Sequence, residues 1–140
     1  MSRSQLLLML LVSHPFCAVA ELAGAQQASA AELAGRYYRG DGTGYNVTIV
    51  LDESGGYRAT WIGCLGEYGT AKGSWSVSGS LVALSPDFES GMMKGHLQVL
   101  HIVAKDDVQV LVPDLDDDYY KKYGADKYSA FHRQAEFSGE

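Results

Sequence analysis

Beyond its first twenty residues, the side chains of this sequence best suited to chemistry are one thiol, Cys64, and three imidazoles, His96, His101 and His132. A cysteine nucleophile needs a nearby base to remove its proton. No spacing along the chain ties any of the three histidines to Cys64, which lies in a Gly-Cys-Leu-Gly turn. A satisfied structural thiol is therefore the favoured interpretation, with a reactive thiol or an intermolecular disulfide as alternatives. We predict no catalytic residue and no enzymatic activity, and we retain Cys64 as a possible reactive thiol.

Metal binding has two candidate patterns, and both fail on geometry. His96 and His101 lie five residues apart on one predicted strand, so their side chains point to opposite faces. The acidic run 114–118 resembles the start of a calcium loop, but Tyr119 stands where the loop needs glycine and Ala125 where it needs glutamate. Helix capping explains the run better. We predict no metal site and no cofactor.

The composition indicates one ordinary globular domain. The chain has 140 residues, of which 46% are hydrophobic and 20% are charged. Its 17 acidic residues outnumber the 11 basic ones and give a formal net charge of −6. Because such a charge repels phosphate backbones, we predict no binding to nucleic acid.

The N-terminal segment 1–20 has the features of a signal peptide. Its apolar run 6–12 spans about 10 Å as a helix, which is too short to cross a bilayer. The Ala-Val-Ala sequence that follows predicts cleavage after Ala20, with a second candidate site after Ala30. We therefore expect an exported protein, periplasmic or secreted, that is not an integral membrane protein.

Short alternating apolar runs, separated by glycine-bearing turns, fill the middle of the chain and indicate antiparallel strands. In one of them Tyr45, Val47, Ile49 and Leu51 share one face of an extended segment. We predict eight strands, at residues 36–39, 45–51, 57–62, 70–77, 81–85, 96–104, 108–112 and 128–133. Their spacing predicts an all-β, up-and-down antiparallel meander that closes as a small eight-stranded barrel. A flattened sandwich or a half-open sheet is the alternative.

One short helix is predicted near the C-terminus. Acidic residues 116–118 precede it, lysines occupy its last turn, and Gly124 follows it, in agreement with the helix dipole and with capping preferences. Tyr119, Tyr120 and Tyr123 would share a face, which we expect to cover one end of the sheet.

The chain thus divides into four predicted parts. After the signal peptide at 1–20, residues 21–34 are rich in alanine and glutamine and predict a linker or a frayed helical turn. The barrel domain occupies residues 35–133. The remaining residues, 134–140, are predicted to be a flexible tail.

Several short motifs resemble the pattern of calycins and lipocalin-like exported proteins. They are Gly35-Arg36-Tyr37 at the start of the first strand, Gly56-Tyr57 through Trp61, Gly73-Ser74-Trp75, and a late arginine, Arg133. In that pattern an aromatic residue of the first strand packs under the late arginine. Here Tyr37 takes the place of the usual tryptophan.

The resemblance implies that the barrel binds a small apolar ligand. The chain supplies aromatic side chains for such a site, with nine tyrosines and two tryptophans. An eight-stranded barrel has room for its own side chains or for one small ligand, so a filled core is the alternative. The predicted ligand-binding residues are Tyr45, Tyr57, Trp61, Trp75 and His101.

A second class of function is an interaction or inhibitor module with an envelope protein as its partner. The contact surface would be the loops 63–69 and 85–95, the second of which carries Phe88, Met92 and Met93. Methionine is flexible and polarizable, which suits an adaptable binding surface. Packing of the same side chains across a barrel end is the alternative.

Overall fold

Residues 28–135 form an antiparallel meander of eight strands in the computed structural model. This confirms the all-β fold class predicted from the alternating runs. The strands are β1 (Gly35–Gly40), β2 (Asn46–Leu51), β3 (Gly56–Gly63), β4 (Gly66–Ser78), β5 (Leu81–Glu89), β6 (Val99–Lys105), β7 (Val108–Val112) and β8 (His132–Arg133). The helices are α1 (Ala30–Leu33) and α2 (Asp118–Tyr123), and a 3₁₀ turn lies at Gly91–Met93.

The structure describes residues 28–135 only. The predicted signal peptide, linker residues 21–27 and tail residues 136–140 lie outside that range. Within it, no helix combines the length and the apolar character needed to cross a lipid bilayer.

The sheet curls until its two edge strands meet. Neighbouring strands pair in the order β7-β6-β5-β4-β3-β2-β1-β8. Phe131, directly before β8, and Leu111 of β7 exchange two backbone hydrogen bonds of 3.1 and 2.8 Å, which makes the barrel nearly closed. Beside this bridge, residues 107–110 and both residues of β8 line an open groove of about 630 Å³.

The interior of the barrel is filled by apolar side chains. Val47, Ile49 and Leu51 of β2 are buried, and the three residues between or before them are half-buried. This is the period of two that the sequence predicts. The same buried cluster includes Leu33, Tyr37, Tyr57, Trp75, Leu84, Leu100 and Phe131.

Strands β4 and β5 are both longer than predicted. Strand β4 begins at Gly66, where it pairs with Gly63 of β3, and β5 continues past Pro86 because a bulge carries its pairing with β4. The register shifts between Lys72 and Gly73, and Gly73 lies opposite Pro86. A Cβ atom on Gly73 would stand 2.1 Å from the Ser85 carbonyl oxygen. Glycine therefore allows β5 to approach at this position, and the strand continues after the proline.

Strand β8 is shorter than predicted because the residues before it form a turn. The Asp126 carboxylate accepts backbone N–H hydrogen bonds from Tyr128 (2.8 Å) and Ser129 (3.0 Å). These bonds hold the backbone in a turn up to Ser129, so pairing with β1 begins at His132.

Helix α2 has the predicted caps. The Asp117 side chain accepts a hydrogen bond of 2.9 Å from the Tyr120 N–H at the first turn, and Gly124 follows the helix with a positive φ of 72°.

Its predicted position as a cover over one barrel end is wrong. Tyr120 packs against a second buried cluster that contains Val110 and Val112. These two valines point away from the barrel interior, because Leu111 between them belongs to the main core. Helix α2 therefore lies on the outer face of the sheet. The sequence alone does not distinguish the two positions, because the same tyrosines suit either surface.

The contact implied by the lipocalin resemblance is present between the first strand and the end of the chain. The Arg133 guanidinium carbon lies 5.3 Å from the centre of the Tyr37 ring, and its Nη2 donates to the Tyr37 hydroxyl at 3.0 Å. Arg133 also donates to the Glu32 carbonyl oxygen, and the Tyr37 hydroxyl donates to the Leu33 carbonyl oxygen at 2.8 Å. Residues of the predicted linker are therefore bonded to the barrel.

Candidate functional site

Arg39 is an arginine on the inner face of the barrel. Residues two apart on a strand share a face, and Tyr37, two residues earlier on β1, belongs to the core. Arg39 is accordingly only 8% exposed. Arginine is almost never buried to this extent without a charged partner, so its surroundings call for an explanation.

Three side chains contact the Arg39 guanidinium, and none of them is acidic. Its Nη2 donates to the Tyr45 hydroxyl and lies 3.2 Å from His96 Nε2. Its central carbon lies 4.8 Å from the centre of the Phe131 ring and 5.3 Å from that of Tyr45. With Trp61, which stacks on two of these residues, we call this set the Arg39 cluster: Arg39, Tyr45, Trp61, His96 and Phe131.

Three rings of the Arg39 cluster form a stack. The Tyr45 and Trp61 rings are 4.9 Å apart at an angle of 80°, an edge-to-face contact. The Trp61 and His96 rings are 4.7 Å apart at 43°. All three side chains are half-buried, so the stack borders solvent, whereas Phe131 below the guanidinium is fully buried.

The loop between β1 and β2 places Tyr45 in the stack. Asp41 accepts backbone N–H hydrogen bonds from Thr43, Gly44 and Tyr45 at 2.7, 2.9 and 3.1 Å. These bonds, with that of Thr43 first, lower the pKa of the Asp41 carboxyl to about 2. The Asp41 carboxyl is therefore ionised, and accepts these hydrogen bonds, at every pH well above about 2.

His96 is placed by the 3₁₀ turn that follows β5. Its backbone N–H donates to the Met93 carbonyl oxygen at 3.1 Å, and the Met93 side chain is fully buried in the core. The buried methionine thus anchors the segment that brings the imidazole over Trp61.

The charge of Arg39 is not compensated by an ion pair. Within residues 28–135 the two ion pairs are Arg58–Asp52 and Lys121–Asp116. Burial lowers the pKa of Arg39, while Tyr45 and the more distant Asp117 oppose that shift. Arginine nevertheless stays protonated in proteins, so the barrel holds a buried positive charge.

Among residues 28–135, two donors of the Arg39 cluster find no hydrogen-bond partner. They are Nε of Arg39 and Nε1 of Trp61, both completely buried. A buried donor without a partner costs about 1–3 kcal/mol, and more when it is charged. Such groups are rare in native proteins, and each calls for an explanation.

His96 is neutral in this environment. Burial, and then the nearby Arg39 charge, lower the pKa of its imidazole below the ordinary value. A neutral imidazole has one free lone pair, which explains how Nε2 accepts a hydrogen bond from Arg39.

The protein is therefore expected to lose stability as the pH falls from about 7.5 to about 5.5, because His96 takes up a proton more readily in the unfolded chain. The His96→Gln variant keeps an acceptor for Arg39 and cannot be charged, so its stability should depend less on pH. The measurement is the urea midpoint at both pH values. His101→Gln, on the outer face of β6, is the matched control. Equal pH dependence in the wild type and in His96→Gln would contradict the assignment.

The predicted ligand-binding residues do not form one site. Tyr45 and Trp61 belong to the Arg39 cluster. Tyr57 and Trp75 are buried near the β2–β3 turn, at the other end of β2, where the Trp75 indole donates to the Asp52 carbonyl oxygen at 2.8 Å.

His101 lies on the outer face of the barrel. Its neighbours on β6, Leu100 and Ile102, belong to the main core, and side chains alternate along a strand. The backbone of β6 therefore lies between the His101 side chain and the aromatic residues of the interior.

The other sequence-predicted residues lie outside the Arg39 cluster. The Cys64 thiol is exposed, and its Sγ is 3.9 Å from the Thr43 carbonyl oxygen. In the predicted interaction loop, Phe88 and Met92 are exposed but Met93 is fully buried. Across residues 28–135, no three His, Cys, Asp or Glu side chains converge as a metal site.

Sequence reasoning missed Arg39 and Phe131, and it considered His96 only as a base for Cys64 or as a metal ligand with His101. One signal was available. Tyr37 and Arg39 lie two residues apart on the first predicted strand and therefore share a face. Because Tyr37 was expected to be buried beneath the late arginine, Arg39 was expected to face inward as well.

Fold and site together define a nearly closed, eight-stranded antiparallel barrel with a buried, uncompensated arginine near one end. No family model matches the chain, and comparisons with curated proteins and with solved structures likewise give no match.

Proposed function

We propose that this protein is an exported ligand-binding barrel that holds a small apolar molecule at the Arg39 cluster, in a lipocalin-like manner. The observation that carries the proposal is the half-buried stack of Tyr45, Trp61 and His96. Flat aromatic faces with a few polar groups among them are typical of sites for small molecules.

The ligand would lie against this stack and not deep in the barrel. The interior beyond it is occupied by Tyr37, Ile49, Leu100 and Phe131, all fully buried. An apolar molecule placed on the stack removes its own surface and that of the rings from water, which favours binding by about 25 cal/mol per Å².

Binding is expected to shift one of the two indole N–H signals in a ¹H–¹⁵N NMR spectrum of the purified protein. The chain has two tryptophans, Trp61 and Trp75. Addition of decanol should move the signal that disappears in Trp61→Phe, because that indole N–H is in the stack and has no partner. The Trp75 signal should stay in place, because its N–H is bonded to the Asp52 carbonyl oxygen.

The Trp75 indole is thus an internal control for general effects of the additive. Thermal unfolding should show a matching rise in midpoint, since a ligand that binds only the folded state stabilises it. If decanol moves neither indole signal, or moves backbone signals only along the groove at residues 107–110, the stack is not the ligand site.

An interaction module is the second candidate function, and one observation favours it. Phe88 is exposed and lines a groove of about 360 Å³. Its other lining residues are four small ones and two basic ones: Ala59, Thr60, Thr70, Ala71, Arg58 and Lys72. An exposed aromatic beside small side chains suits contact with another protein of the envelope. Loss of a captured partner on Phe88→Asp, with decanol binding unchanged, would support this function.

A further inference from the structure

We infer that the ligand of the Arg39 cluster carries a carboxylate and that the Arg39 guanidinium binds it. This inference rests on the proposed function and names the chemical class of the ligand. It follows from three features of the site: the uncompensated charge, the free donors and the lack of competing acids.

The uncompensated charge is the first feature. Arg39 is more than nine-tenths buried, and its Nε–H has no partner in the part of the chain that the structure describes. Its hydrogen bonds within residues 28–135 go from Nη2 to Tyr45 and His96, both neutral acceptors. A ligand anion would supply the opposite charge that the protein side chains do not.

The free donors are the second feature. Trp61 stacks on the same two residues to which Arg39 is bonded, Tyr45 and His96, and its buried indole N–H is also unpartnered. The Tyr45 hydroxyl accepts from Arg39, so its own proton is available to donate. The Arg39 cluster therefore offers N–H and O–H donors from three neighbouring side chains, which suits an acceptor-only group.

The lack of competing acids is the third feature. Neither ion pair of residues 28–135 involves Arg39, and the acid that acts on its charge, Asp117, does so only from a distance. A single positive charge balances one negative charge. The planar guanidinium matches a planar carboxylate, whereas a doubly charged phosphate would leave excess charge beside the Phe131 and Trp61 rings.

A matched series of ten-carbon ligands tests this inference by calorimetry: decanoate, decanol and decylamine. Decanoate should bind the purified protein about 10- to 100-fold more tightly than decanol, because hydrogen bonds to a charged group are the strong ones. Decylamine should bind most weakly, since its charge has the same sign as that of Arg39.

Two substitutions locate the preference. Arg39→Met should bind decanoate and decanol about equally. Arg39→Lys keeps the charge but not the planar fork of donors, so its preference for decanoate should be intermediate between those of Arg39→Met and the wild type. Arg58→Met is the matched control. Arg58 is an exposed arginine of β3, and its removal should leave the preference unchanged.

The outcomes separate the inference from the proposed function. If the wild type binds decanoate and decanol equally and Trp61 responds to both, the carboxylate inference fails while ligand binding stands. If none of the three ligands shifts the Trp61 indole signal, both fail. A decanoate preference that persists in Arg39→Met also overturns the inference. Should Arg39→Met not fold, the wild-type series and Arg39→Lys decide the question.

Discussion

Replacement of Phe131 by alanine is expected to lower the free energy of unfolding by about 3–5 kcal/mol. The Phe131 side chain is 0% exposed and packs in the main core, with the Arg39 guanidinium over its ring. Its backbone forms the bridge to Leu111 that joins the two edges of the barrel. The substitution leaves a cavity next to a buried charge, at the position where the barrel closes. Urea denaturation at neutral pH measures the change.

Phe88→Ala is the matched control, because it removes the same side chain from a position that is 50% exposed. Surface substitutions away from special features usually change stability by less than about 0.5 kcal/mol. A loss of less than about 1 kcal/mol in Phe131→Ala would mean that the closure of the barrel does not depend on this residue.

Leu33→Ala is expected to cost about 2–5 kcal/mol, although Leu33 lies in a segment that the sequence predicts to be a linker. Its side chain is fully buried in the main core, and its carbonyl oxygen accepts the Tyr37 hydroxyl hydrogen bond. Helix α1 is also held by a capping box between Ser29 and Glu32. We therefore regard α1 as part of the folded barrel.

Leu65→Ala provides the comparison, since Leu65 is 91% exposed in the β3–β4 turn. Both variants should be measured by urea denaturation. We expect the dependence of the unfolding free energy on urea concentration to be the same in both variants. If the two substitutions lower the free energy of unfolding equally little, α1 is not part of the cooperative unit. The folded barrel would then begin at Gly35, after the predicted linker.

The strands were predictable because their signals are local. In β2 the buried residues Val47, Ile49 and Leu51 occupy every second one of six consecutive positions. The caps of α2 are equally local, since Asp117 and Gly124 act on adjacent backbone groups. Interactions of this range depend on neighbours in the chain and need no knowledge of the fold.

Strand ends were less predictable because they depend on the partner strand. Pro86 marks a strand end when it is read alone, but Gly73 on β4 lets the pairing continue past it. The position of α2 depended in the same way on Val110 and Val112, whose apolar outer face was available for Tyr120 to cover.

The sequence by itself determined that this chain is an antiparallel β-meander with one capped helix, because periodicity and turn chemistry act over a few residues. Only the tertiary structure decided which aromatic residues meet. It brought Arg39, His96 and Phe131, from three distant parts of the chain, around one buried charge. The physical reason is that the strand period assigns a side chain to a face, whereas the curl of the sheet determines what that face encloses.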